Sequence, residues 1–447
     1  MRRKATCAGA LGIWLAALLA APTRSAATDA VARYLGAASC ASTPCHGSIV
    51  AREATPVLQN EYQVWSQRDA HARAYSVLGD RHSQEIASRL GLLDAQTARE
   101  CLGCHAVAVA ERLHGPRFQI SDGVSCEACH GAAERWIETH DDAANSRTAS
   151  LARGLIALDD PRVRAEVCLG CHQGNRDRAL SHRIMAAGHP RLSFELDTFT
   201  QLEPAHFRID ADYRQRKQAA DSATTWAVGQ AMSVALYADR LAEFAAGEGP
   251  GAASVWPEFA LFDCFSCHHD IGARPPASGE AGLLGVPRPD LSSLLLYREI
   301  VAQVAPDGLA DYDKSVRTLV GAASGSSSRL AAAAGGMRES ARTDAERLAD
   351  RPLTDDTLRG VLARIVSVKT ASHYRSYADA EQVTMAAQAI CATLTERGAL
   401  SGTRLVRSKV ALDAMFDATN NPETFRASRF REALDGLRGA FQPESDR

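Results

Sequence analysis

Ten cysteines fall into five pairs, and a histidine follows every pair directly. Four pairs have the spacing CxxCH: Cys101/Cys104/His105, Cys126/Cys129/His130, Cys168/Cys171/His172 and Cys264/Cys267/His268. The fifth, Cys40/Cys45/His46, is wider, CxxxxCH. The pattern suits one chemistry closely. Two thiols add across the two vinyl groups of a haem, and the adjacent histidine is held at the iron as its proximal ligand. A shuffled chain of this composition would carry on the order of 0.01 CxxCH matches, so four are not accidental. A disulfide framework has no use for a histidine after every second cysteine. Paired clusters of this kind could close a zinc site, but five histidine-terminated clusters favour haem. The cofactor expected is therefore haem c, five copies, or four if the two extra residues of the wide motif, Pro44 among them, prevent attachment there.

A low-spin electron-transfer haem takes a second strong axial ligand, usually His or Met. Removing the five proximal histidines from 14 leaves His71, His82, His114, His140, His182, His189, His206, His269 and His373, while Met is scarce. Bis-histidine ligation is expected, with His71, His114, His140, His189 and His206 as the second ligands. His71 lies in the run WSQRDAHARAYSV, read as a helix, and His140 ends CHGAAERWIETH. His189 and His206 sit beside prolines that bias the chain towards extended, ligand-presenting loops. His182 is an alternative to His189. His269, next to a proximal histidine, cannot reach the other face of the same haem. His82 and His373 read as surface or capping residues.

The elements that must position these residues fall into two kinds. Residues 28–271 read as short helices and loops wrapped around haems, because cofactor replaces an ordinary apolar core; aromatic content is only 6%. One longer helix is expected at 218–246, where Trp226, Gln230, Val234, Tyr237 and Leu241 recur at helical spacing. The Pro- and Gly-rich stretch 272–290 reads as a linker. Beyond it, apolar residues at three- and four-residue steps predict a haem-free helical bundle over 291–447. Within that bundle 321–336 is low in complexity and reads as a hinge or Ala-rich turn, and Cys391 as a buried thiol. The fold class expected is mainly α.

Residues 1–27 read as a secretory signal: Arg2, Arg3 and Lys4, then an apolar run, then small residues at Ser25 and Ala27. This predicts export to the periplasm, with no transmembrane segment after cleavage and Cys7 removed. A formal charge of −3 argues against a nucleic-acid partner.

The segments WSQRDAHARAY, ECLGCHA, DGVSCEACHGAAERW, CLGCHQG, AGHPRLSFELD and WPEFALFDCFSCHHD resemble multihaem cytochromes of the cytochrome c-554 type, a family that includes the electron acceptor of hydroxylamine oxidoreductase. They span about half of the chain, residues 38–271. The resemblance implies a mostly helical fold around closely packed haems, bis-histidine irons and, in some members, one iron with an open face. The chain departs from the simplest tetrahaem pattern in its fifth motif, the wide spacing and the long C-terminal region. Pentahaem nitrite reductases are related, but the lysine-ending CxxCK motif usual at their active haem is missing here. The leading expectation is a periplasmic electron carrier serving redox partner proteins. The alternative is an oxidoreductase in which one open haem, best placed at the CxxxxCH motif, acts on nitrite, hydroxylamine, nitric oxide or a small sulfur compound, with His269, Arg117, Lys217 and Tyr213 as proton donors. The C-terminal helices read as a cap, a docking module or a homodimer contact.

Overall fold

The computed structural model describes residues 31–53, 57–142, 146–248, 256–268, 289–290, 292–323 and 327–442. The chain is mainly helical. Extended pairing among the described residues amounts to the isolated bridges Tyr34–His114, Asn175–Arg178 and Phe262–Pro289. The signal segment 1–27 and most of the 272–290 linker lie outside the described residues.

Up to Lys217 the helices are short because turns and caps interrupt them. Asp160 caps the helix Pro161–His172 by accepting from Arg162 N, with Pro161 in the first turn where its missing N–H costs nothing. Ser146, Ser181 and Asp210 cap Arg147–Ala152, His182–Ala186 and Ala211–Arg216 in the same way. Apolar packing confined to this region is slight: one cluster of Leu78, Ala87 and Ala95, and another of Ile86, Leu90 and Ala187.

The helix Ser222–Ala245 is different in kind. It is buried on every side, with Trp226, Ala227, Val228, Ala231, Val234, Ala235, Ala238 and Leu241 all at 0% exposure. A helix apolar all round belongs in the middle of a core, and this one packs against Ser327–Asp350, Ser292–Val304, Tyr377–Glu396, Leu196–Leu202 and Pro161–His172. Small residues let those neighbours approach: a Cβ on Gly229 would lie 2.7 Å from Leu196 Cβ. One continuous core follows, running from Ala165 to Leu437. It therefore crosses the 272–290 linker. The bundle is built around a helix that precedes the Cys264/Cys267/His268 motif in the chain.

The expectation of a hinge or turn at 321–336 is corrected on either side of 324–326, which lie outside the described residues. Leu309–Ala323 and Ser327–Asp350 are helices, and Leu330 and Ala334 are buried. The Ala-rich run has high helix propensity, and its small side chains fit closely against the central helix. Cys391 is buried within Tyr377–Glu396, and burial pushes its thiol up to about 12. No helix among the described residues is long and apolar enough to cross a membrane.

Candidate haem sites

Each CxxCH motif is held by a local helical turn. Cys101–His105 lies in the helix Arg99–His105, Cys126–His130 forms its own helix, and Cys168–His172 ends Pro161–His172. In the last motif His268 N donates to Cys264 O at 2.7 Å. The wide motif makes the same closure across two more residues, with His46 N donating to Cys40 O at 3.2 Å. The extra length is taken up in a turn where Cys45 N and Gly47 N donate to Ser42 O. Gln59 Nε2 and Arg52 Nη2 fasten the bulge through Pro44 O and Thr43 O. A Cβ on Gly47 would sit 1.8 Å from Ala41 O, so the turn admits glycine alone there.

The five motif histidines each face a second histidine. Ring centroids are 6.1 Å apart for His46–His140, 6.0 Å for His71–His172, 6.3 Å for His105–His189, 6.4 Å for His130–His206 and 6.3 Å for His182–His268. Two imidazoles bound to one metal from opposite sides, with bonds of about 2 Å, place their centroids about 6 Å apart. All eleven described cysteines are free thiols, which removes the disulfide framework. Among the described residues the one convergence of three metal-binding groups is Asp69, His71 and Glu203, which includes no motif cysteine.

The second ring nitrogen fixes how several of these histidines point. Nδ1 of His105, His140 and His189 bonds the carbonyls of Ala74 (2.8 Å), Ile137 (2.6 Å) and Pro190 (2.7 Å). Nδ1 of His46 instead meets Glu61 Oε2 at 3.0 Å, and that of His71 meets Asp69 Oδ1 at 3.0 Å. With Nδ1 engaged, Nε2 is left for a metal, and the tautomer is set. Donating to the Glu61 and Asp69 carboxylates raises the His46 and His71 pKa values. Burial lowers His130 and His172 to about 4, which keeps both imidazoles neutral as ligands must be.

Neighbouring motifs touch through their cysteines. The Cys40 thiol hydrogen-bonds that of Cys126, and the Cys104 thiol that of Cys171. Cys129 lies within the electrostatic reach of Cys168, and Asp69, beside His71, within that of His206. His182 and His189 belong to one short segment. These contacts order the pairs as His46–His140, His130–His206, His71–His172, His105–His189 and His182–His268. Both ends are open to solvent: Cys45 at one and Cys264 and Cys267 at the other are exposed, while the six cysteines between are half-buried, with Cys40.

The bundle grips the middle of this series. Gln173 bonds Ser233 through both ends of its amide, Arg240 donates to Gln173 O, and Tyr237 donates to Leu261 O just before the last motif. Arg191, two residues beyond His189, pairs with Glu381 at 2.6 Å. Phe194 stacks on His172 with centroids 4.6 Å apart.

Of the five second histidines expected from sequence, the structure brings His71, His140, His189 and His206 opposite motif histidines. His114 is placed elsewhere: it stacks on Phe118 at 4.0 Å, and its Nε2 bonds Val109 O at 3.0 Å. His182 takes the remaining place, opposite His268. His189 is not displaced by it, since the two serve different motifs. The position of His269 lies outside the described residues. Arg117 is exposed and donates to Ala38 O, while Lys217 lies over the Tyr213 ring at 4.9 Å. Sequence reasoning missed the carboxylates. Buried Glu127, inside CEACHG, accepts from Leu35, Gly36 and Ala133 N–H groups and staples the start of the described chain to the third motif. Asp69 had one legible sign, an Asp two residues before His71 at a helix start; Glu61 had none.

The residues fit the expected cofactor. Facing imidazoles, free thiols and adjacent helical turns come together at each of the five motifs.

Against known proteins, residues 39–131 match the family described as cytochrome c554 and c-prime. The matched segment contains the wide motif and the next two. No curated protein and no solved structure matches the chain.

Proposed function

The chain carries a c554-type cytochrome segment, and from that premise we propose that it is a five-haem electron relay exported to the periplasm. Haem c, bound through both cysteines of a motif, supplies a one-electron iron couple at each set. The chain's own residues do the rest. The pairs His46–His140, His130–His206, His71–His172, His105–His189 and His182–His268 would each hold one iron between two imidazoles. Cys40, Cys45, Cys101, Cys104, Cys126, Cys129, Cys168, Cys171, Cys264 and Cys267 supply the attachment. The observation that carries this reading is that every motif histidine has a second histidine opposite at ligation distance. It favours electron transfer over an open catalytic face, including at the wide motif, where His140 stands opposite His46.

The relay reading also accounts for the exposed ends of the series, where one-electron redox proteins would dock. The division of the chain separates attachment motifs, up to residue 271, from the haem-free helices after 290. The bundle acts as the foundation on which the later motifs are mounted, and its outer helices remain the proposed surface for a homodimer. Export rests on the 1–27 segment and on the need for haem attachment outside the cytoplasm.

Electron paramagnetic resonance of the oxidised protein, with haem content measured in parallel, tests the reading. Ring planes in three pairs are near-perpendicular, at 87°, 85° and 84°, and in two they lie closer to parallel, at 21° and 30°. Parallel imidazoles donate into the same iron orbital and split the set; perpendicular ones leave it nearly degenerate. We expect five low-spin irons in two classes, three strongly anisotropic and two rhombic. A high-spin iron that takes up nitric oxide would overturn the relay in favour of an enzyme.

A further inference from the structure

Two of the five facing pairs differ from the others in what holds the ring. Carbonyls, which are neutral, hold His105, His189 and His140. Carboxylates hold His46 and His71, each at 3.0 Å. Both carboxylates are fixed on the protein side as well. Glu61 Oε1 accepts from Gln59 N at 3.0 Å, and Asp69 Oδ1 accepts from His71 N at 2.9 Å while capping the turn Ala70–Arg73. Neither is a mobile surface group: the Glu61 side chain is 17% exposed and that of Asp69 10%. Glu203 stands close enough to Asp69 and His71 to add further negative charge there.

A ring N–H donated to an anion draws the imidazole towards imidazolate, which makes Nε2 a stronger donor to a metal. A stronger axial donor stabilises iron(III) over iron(II), and it does so most where solvent is excluded. Resting on the five-haem reading above, we propose that Glu61 and Asp69 are positioning residues that set the centres of the His46–His140 and His71–His172 pairs at lower reduction potential than the other three. Their places in the series give the difference a direction. The low-potential centres are the first and the third, and the two pairs at the His268 end have no carboxylate on a ring nitrogen among the described residues. An electron passing from a one-electron donor protein at the Cys45 end to an acceptor protein at the Cys264 end therefore finishes at higher potential than it started, with one uphill step from His130–His206 to His71–His172 and no proton or atom transferred.

The test is a mediated spectroelectrochemical titration of the purified holoprotein and of E61Q and D69N, with resonance spectra taken at each poise and haem content checked. In each variant about one fifth of the haem absorbance change should move to higher potential while the rest superimposes on the parent curve. The resonance component that moves should be of the near-parallel class in E61Q and of the near-perpendicular class in D69N. Restoring the charge at a different length, E61D and D69E, should return the curve part of the way. Curves that superimpose on the parent, with five low-spin haems retained, overturn the proposal and leave the relay standing. If an amide variant loses haem, Glu61→Ala and Asp69→Ala, which also remove the charge, decide instead, and a superimposable curve there with haem retained is the overturning result. A parent protein without five bis-histidine irons sinks the relay and this inference together.

Discussion

The two halves of the molecule solve the problem of a core in opposite ways. Residues 31–217 make short capped helices, loops and two small apolar clusters, and histidines from distant positions face one another there, with ring centroids about 6 Å apart. The bundle closes an apolar core around Ser222–Ala245, with Trp226, Leu241, Ile300, Leu358 and Ile390 fully buried. Each such side chain contributes about 1.5–3 kcal/mol by its burial. The contrast teaches that the bundle can hold its shape from its own side chains, whereas the motif-bearing half depends on what the cysteines and histidines bind.

The comparison breaks most decisively if haem is withheld. Protein made without haem attachment is expected to lose protection across 31–217 and to keep a resistant core over 222–245 and 292–442. Limited proteolysis read by mass spectrometry checks this; equal resistance in both halves would erase the distinction. Next in size, Trp226→Ala should destabilise the bundle by about 3–5 kcal/mol. Because the central helix carries Pro161–His172 and Leu261 as well, thermal unfolding followed in the haem band should shift with the helical signal. A haem band indifferent to the substitution would show that the halves are mechanically independent.

A smaller effect sharpens the junction. Glu195 caps Leu196–Leu202 where that helix meets the central one, and burial pushes its carboxyl up to about 7. The folded state then holds a proton that an unfolded glutamate, at 4.5, has released. Its contribution to stability is complete below pH 4.5 and is lost as pH rises through 7, a change of about 3 kcal/mol at most. Asp197 is raised by burial too, so the Glu195 share is read as the difference between parent and Glu195→Gln melting temperatures from pH 4.5 to 8. Parallel profiles would count against a buried, protonated Glu195.

The sites were legible in unequal parts. The proposed attachment cysteines and proximal histidines could be read directly, because thioether formation demands a thiol pair and a ligand within a few residues. Second histidines could be narrowed to a set, and four of the five expected stand opposite motif histidines. His114 and His182 show where the reading ended: both occur in plausible loops, and nothing in their flanking residues tells that one stacks on Phe118 while the other meets His268 from 86 positions earlier in the chain. The long helix was visible at 218–246 and observed at Ser222–Ala245, yet its membership in the C-terminal bundle was hidden, since periodicity reports which face is buried and not against what.

By itself, then, the amino-acid sequence determined the local chemistry: which thiols pair, which histidine accompanies each pair, and where amphipathic helices run. Those are contests settled within about ten residues, by covalent reach and helical pitch. Tertiary structure alone decided which histidine closes which site, the order of the five sets, and that Glu61 and Asp69 hold two of the rings while carbonyls hold others. Such choices depend on distances between residues far apart in the chain, and those follow from how the helices pack around Trp226 and its neighbours.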